Sequence, residues 1–84
     1  MMSKNRLMWA SRRGMLELDL VLQPFIENVY DSLKDDDKLL FEKLLECEDQ
    51  DMFTWFIDKV DPEASDILHI VKIIRSHTGL QPDA

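Results

Sequence analysis

MLELDLVLQPFIENVYDSL, residues 15–33, is the stretch whose reading decides the fold. Met15, Leu18, Leu22, Phe25 and Val29 recur at spacings of 3, 4, 3 and 4, which gathers them onto one stripe of an α-helix starting near Met15. Leu33 extends the stripe by one more turn. Pro24 falls inside the pattern and removes one backbone donor. Because the periodicity runs through it, a kink near Leu20–Leu22 is expected in preference to two separate helices.

The segments on either side read as helices too. Towards the N-terminus, Ser3 is placed to cap a short helix through Leu7, Met8, Trp9 and Ala10 to about Arg12. Gly14 follows, where a helix end or tight turn wants glycine. Towards the C-terminus, Asp31–Asp37 reads as a polar connection. A third helix is expected over about Asp36–Cys47, with Leu40, Phe41, Leu44 and Leu45 on its apolar side. Glu48–Asp51 reads as a turn with Asp49 as a cap, and a fourth helix carries Met52, Phe53, Trp55, Phe56 and Ile57 to about Lys59. Asp61-Pro62-Glu63 has the form of cap, first helical residue and acidic first turn. The last helix carries Ile67, Ile70, Val71 and Ile74, with Gly79 as its stop. No run shows the alternation of a half-buried strand. The expectation is an all-α fold, a compact bundle of about five short antiparallel helices. It forms a single domain over residues 1–84, with about 80–84 as a frayed tail.

Composition narrows the function. With 45% hydrophobic and 32% charged residues, the chain has the balance of a folded globular protein rather than a disordered one. Its 84 residues and two glycines leave no room for a Rossmann or P-loop nucleotide fold. No apolar run approaches a membrane span, and no secretory signal is expected, because Arg12 and Arg13 interrupt the region after the basic start. The one cysteine, Cys47, has no internal disulfide partner. The fold therefore stands on its core alone, with a margin of roughly 3–5 kcal/mol, and a reducing cytoplasm fits best.

The net charge of −7 is unevenly spread. Residues 1–16 carry Lys4, Arg6, Arg12 and Arg13 and no acid, whereas residues 17–84 carry all 17 acids and six bases. Such an acidic body repels phosphate, so nucleic acid is an unsuitable partner. A protein partner suits it, with complementary fields guiding encounter; solubility alone also accounts for many of the acids.

Enzyme chemistry finds little support. His69 and His77 lie eight residues apart, about 12 Å along a helix, too far to share a metal. Asp35-Asp36-Asp37 lacks the glycine and terminal glutamate of a calcium loop and reads as helix-start acids. No nucleophile and base stand at a recognisable spacing.

One segment stands apart. Trp9-Ala10-Ser11-Arg12-Arg13-Gly14-Met15-Leu16-Glu17-Leu18-Asp19 puts a tryptophan, two arginines, a glycine and two acids at a helix junction. Glu17 lies three residues after Gly14 and four after Arg13, within reach of one helical face. In one reading Gly14 only turns the chain, Arg13 pairs locally with Glu17, and Trp9 completes the core. In the other, the bare glycine backbone admits a second protein, flanked by the residue types enriched at interface hot spots.

Arg13-Gly14-Met15-Leu16-Glu17 resembles the RGxxE motif of the succinate dehydrogenase FAD assembly (flavinylation) factors, the SdhE-like family. The resemblance covers nearly the whole chain. It continues through Pro24-Phe25, Tyr30-Asp31-Ser32-Leu33, Phe41, Leu44-Leu45-Glu46-Cys47 and Asp51-Met52-Phe53-Thr54-Trp55. Lys34 departs from it, standing where a capping Ser or Thr is more usual.

The resemblance implies a five-helix chaperone that promotes covalent attachment of FAD to the flavoprotein subunit of succinate dehydrogenase, and in bacteria also of fumarate reductase. The client's own histidine attacks the flavin 8α-methyl group, so the helper needs no catalytic residue and no tightly bound cofactor. By the motif, Arg13, Gly14 and Glu17 contact the client, with Trp9, Arg12 and Asp19 as neighbours. The competing expectation is a regulatory, antitoxin-like protein-binding module.

Overall fold

The helices form where the apolar stripes lie. In the computed structural model, residues 3–12 and 14–78 are described. They form five α-helices: α1 (Lys4–Ser11), α2 (Leu16–Asn28), α3 (Asp35–Leu45), α4 (Asp49–Phe56) and α5 (Ser65–Thr78), with a 3₁₀ turn at Tyr30–Ser32 between α2 and α3. No strand occurs among the described residues. Gly79 and the tail after it lie outside them.

The N-terminal reading holds. The Ser3 hydroxyl accepts from the Arg6 N–H at 3.3 Å, and α1 ends with Arg12 as its C-cap. α2 runs unbroken through Pro24, so the chain does not split there. Proline deprives the Leu20 carbonyl of its helical donor. That carbonyl belongs to an exposed residue, and the Asn28 amide donates to Pro24's own carbonyl at 3.0 Å. The helix stops at Asn28, not at Leu33. The Ser32 hydroxyl donates to the Val29 carbonyl at 2.7 Å, and the backbone tightens into the 3₁₀ turn.

The bounds of the later helices differ from expectation. α3 starts at Asp35 and ends at Leu45, leaving Cys47 half-buried in the following turn. Lys34 occupies its N-cap with no side-chain bond, so Asp35, Asp36 and Asp37 meet the positive helix pole by charge alone. Asp49 is a first helical residue and not a cap; Glu48 holds that position, also without a side-chain bond. α4 ends at Phe56, short of Lys59, whose φ is +60°. Asp61-Pro62-Glu63 does not open the last helix, which begins at Ser65. The reason lies on α5. Arg75 takes the Val60 carbonyl at 3.0 Å and the Asp61 carboxylate at 2.8 Å, which holds this segment outside the helix, with Pro62 buried.

α2 is the hub, packing against α1, α4 and α5, while α3 packs on α5 and α1. Leu18, Leu22 and Phe25 of the stripe are at most 1% exposed and meet Phe41, Leu44, Met52, Phe56 and Ile70. The Phe25 and Phe41 rings sit 5.3 Å apart and tie α2 to α3. Tyr30 is buried beside Phe41, and its hydroxyl donates to Glu42 at 3.3 Å. Burial foremost, and then the Glu42 charge, push its pKa up to about 12. The radius of gyration, 11.6 Å, matches the roughly 12 Å expected for a compact chain of this length. Among the described residues no helix is long and apolar enough to cross a membrane.

Candidate functional site

The junction of α1 and α2 is built by local backbone chemistry. Ser11 is fully buried, and its hydroxyl donates to the Met8 carbonyl at 2.8 Å, closing the last turn of α1. The Arg12 N–H donates to the Trp9 carbonyl at 3.2 Å. Gly14 then takes a left-handed conformation, φ +76°, which any residue with a Cβ adopts at a penalty. Met15 caps α2 through its backbone, and Glu17 and Asp19 place negative charge in the first turn.

This geometry leaves a bare corner. A Cβ built on Gly14 would meet nothing within 4 Å, so the glycine borders open solvent. Trp9 is not part of the core: it is 75% exposed, and the Arg12 guanidinium lies over its ring, 5.6 Å from the centroid. Arg12 also lines an open groove on α2 with Asp19. Trp9, Arg12, Gly14 and Asp19 are thus gathered at one corner, and Glu17 stands exposed on the adjoining first turn. Arg13 lies outside the described residues, and with it the pairing to Glu17.

Sequence reasoning passed over part of this surface. Leu16 and Leu20 are 69% and 65% exposed, and line the groove with Pro24 and Glu27. Leu16, Leu20 and Pro24 are spaced four apart on the face of α2 opposite the buried stripe. That spacing was the available signal.

Elsewhere the chemistry is structural. His69 pairs with Asp37 at 3.0 Å, and His77 lies beside the Phe25 ring. Among the described residues no group of His, Cys, Asp and Glu could hold a metal. The Arg75 network, which sequence did not disclose, joins α5 to the end of α4.

Residues 5–78 match the protein family described as flavinator of succinate dehydrogenase. The chain belongs to this family. Curated relatives that this chain resembles carry the name FAD assembly factor SdhE. The one from Pseudomonas aeruginosa is 53% identical over 78 residues, 93% of this chain and 90% of the relative. The one from Yersinia pseudotuberculosis is 47% identical over 74 residues, 88% of this chain and 84% of the relative. The one from Shewanella oneidensis is 58% identical over 57 residues, 68% of this chain and 70% of the relative. The flavinator family is thus matched across all five helices, from the second residue of α1 to the last of α5.

Proposed function

We propose that this chain promotes covalent attachment of FAD to the flavoprotein subunit of succinate dehydrogenase, and to that of fumarate reductase, by binding the subunit through the α1–α2 corner. The observation that carries the reading is the family match along residues 5–78. The corner supplies what such a role needs. Gly14 borders open space, so a client backbone can approach it closely. Trp9 and Arg12 flank it, and Arg13 and Glu17 complete the RGxxE pattern.

The helper works by positioning. Nucleophile and flavin both belong to the client, and holding them in a reactive arrangement lowers a barrier by several kcal/mol with no catalytic group from the helper. The free chain accordingly holds no FAD tightly.

The test is covalent flavin in the denatured flavoprotein subunit, read by in-gel ultraviolet fluorescence with and without this chain. A rise in fluorescence with the chain is expected. Equal fluorescence in both lanes would overturn the reading and leave a regulatory protein-binding module in its place.

A further inference from the structure

Apart from the Tyr30 phenol, Ser11 is the one polar side chain buried among the described residues, at 0% exposed. Alanine forms a helix better than serine does, so helix propensity does not account for the hydroxyl. Its bond does. In a continuing helix the Met8 carbonyl accepts from the N–H of residue 12; here the Ser11 hydroxyl donates to it instead, at 2.8 Å. The Arg12 N–H is thereby released one carbonyl along, to Trp9, at 3.2 Å. The last turn tightens, and Arg12 leaves the helical range with φ −77° and ψ 112°. Gly14 then turns the chain at φ +76°, and α2 starts at Leu16.

From this we infer that Ser11 is a positioning residue of the client-binding corner: its hydroxyl stops α1 at Arg12 and so fixes how Trp9 and Arg12, on the first helix, stand relative to Gly14 and Glu17. Both helices are pinned to the core, by Leu7 and by Leu18, each 0% exposed, so the link between them has little slack. Without the hydroxyl the Met8 carbonyl recovers the Arg12 N–H, and α1 gains a residue. Each added residue advances a helix by about 1.5 Å and turns it by about 100°. The two halves of the corner then face different directions. A helper that works by holding its client loses much of its effect from a misplacement of about 1 Å. The inference rests on the function proposed above.

The test uses the full chain, the flavoprotein subunit purified without flavin, and added FAD. Ser11→Ala removes the hydroxyl and nothing else. Ser11→Thr keeps it, since a threonine hydroxyl makes the same bond back to a carbonyl one turn earlier. Three readings are taken on each: the Arg12 Cα resonance of the free chain, which separates extended from helical backbone; the denaturant midpoint; and the initial rate of covalent flavin formation.

For Ser11→Ala, the Arg12 resonance is expected to move to its helical position and flavin formation to slow by about tenfold or more, with the chain folded. Ser11→Thr should keep Arg12 extended and the rate within twofold of wild type. If the added methyl does not fit the closed site, the alanine readings decide alone. An alanine variant that leaves Arg12 extended, whatever its midpoint, would overturn the inference, because the hydroxyl would not be the stop. So would one in which Arg12 turns helical while flavin forms at the wild-type rate. Both results leave the proposed function standing. Failure of the wild-type chain to raise covalent flavin would remove that function, and with it the client role of Ser11; the Arg12 reading needs no client, so the two failures are told apart.

Discussion

Arg75 donates to a single acceptor, the backbone carbonyl of Trp55, from two nitrogens, Nη2 at 2.7 Å and Nε at 3.2 Å. The same guanidinium reaches Val60 and Asp61, and its side chain is only 13% exposed. The last helix therefore holds the end of α4 and the segment after it through one planar, five-donor group.

Arg75→Ala leaves those carbonyls without donors and is expected to destabilise the fold by about 1–3 kcal/mol in urea unfolding. Arg75→Lys should recover little of the loss, because an ammonium cannot reproduce the planar fork. A lysine variant as stable as wild type would show that charge alone suffices.

Gly14 separates conformation from access. Gly14→Ala places a Cβ at φ +76° in open space, so the expected loss is about 1–2 kcal/mol of stability from backbone strain. Gly14→Arg carries the same strain and adds bulk to the corner. Covalent flavin should therefore fall far more for arginine than for alanine, with both variants folded. Equal flavin yields would remove close approach from the explanation.

Trp9 and Phe41 should behave oppositely. Trp9→Ala removes a side chain that is 75% exposed and should shift stability by no more than about 0.5 kcal/mol. Phe41→Ala opens a cavity against Phe25 and Tyr30 and should cost about 3–5 kcal/mol. Denaturant midpoints distinguish the two.

Tyr30 gives the fold an alkaline limit. Its pKa is pushed up to about 12 in the folded state, against an ordinary 10.0. Between these values the unfolded chain has released the phenolic proton and the native chain has kept it. The native state binds more protons, so this contribution is complete below pH 10 and fades as pH rises through 12. The difference in unfolding free energy between wild type and Tyr30→Phe, followed from pH 9 to 12, should change in that window and stay flat below it.

Helix content was readable because each helix buries a stripe that sequence spacing records: Leu18, Leu22 and Phe25 on α2, and Ile67, Ile70, Val71 and Ile74 on α5. Helix starts were harder. Asp61-Pro62-Glu63 has every local mark of a helix start, yet Arg75, fourteen residues on from Asp61, claims that stretch for a different purpose. Asp49 was misplaced because carboxylates in a first turn serve the helix pole without capping it. At the corner, Gly14 and its neighbours were visible as a motif. Leu16 and Leu20 were not, because reading α2 for its core stripe passes over leucines on the other side.

The two tryptophans differ in a way that bears on how the chain is watched at work. Trp9 stands in water under the Arg12 guanidinium, while Trp55 is half-buried on α4. A body settling over the first helix junction strips that water away and shifts the indole emission towards the blue, with no dye attached. Substituting phenylalanine at position 9 silences the signal, so the molecule carries its own optical gauge of occupancy.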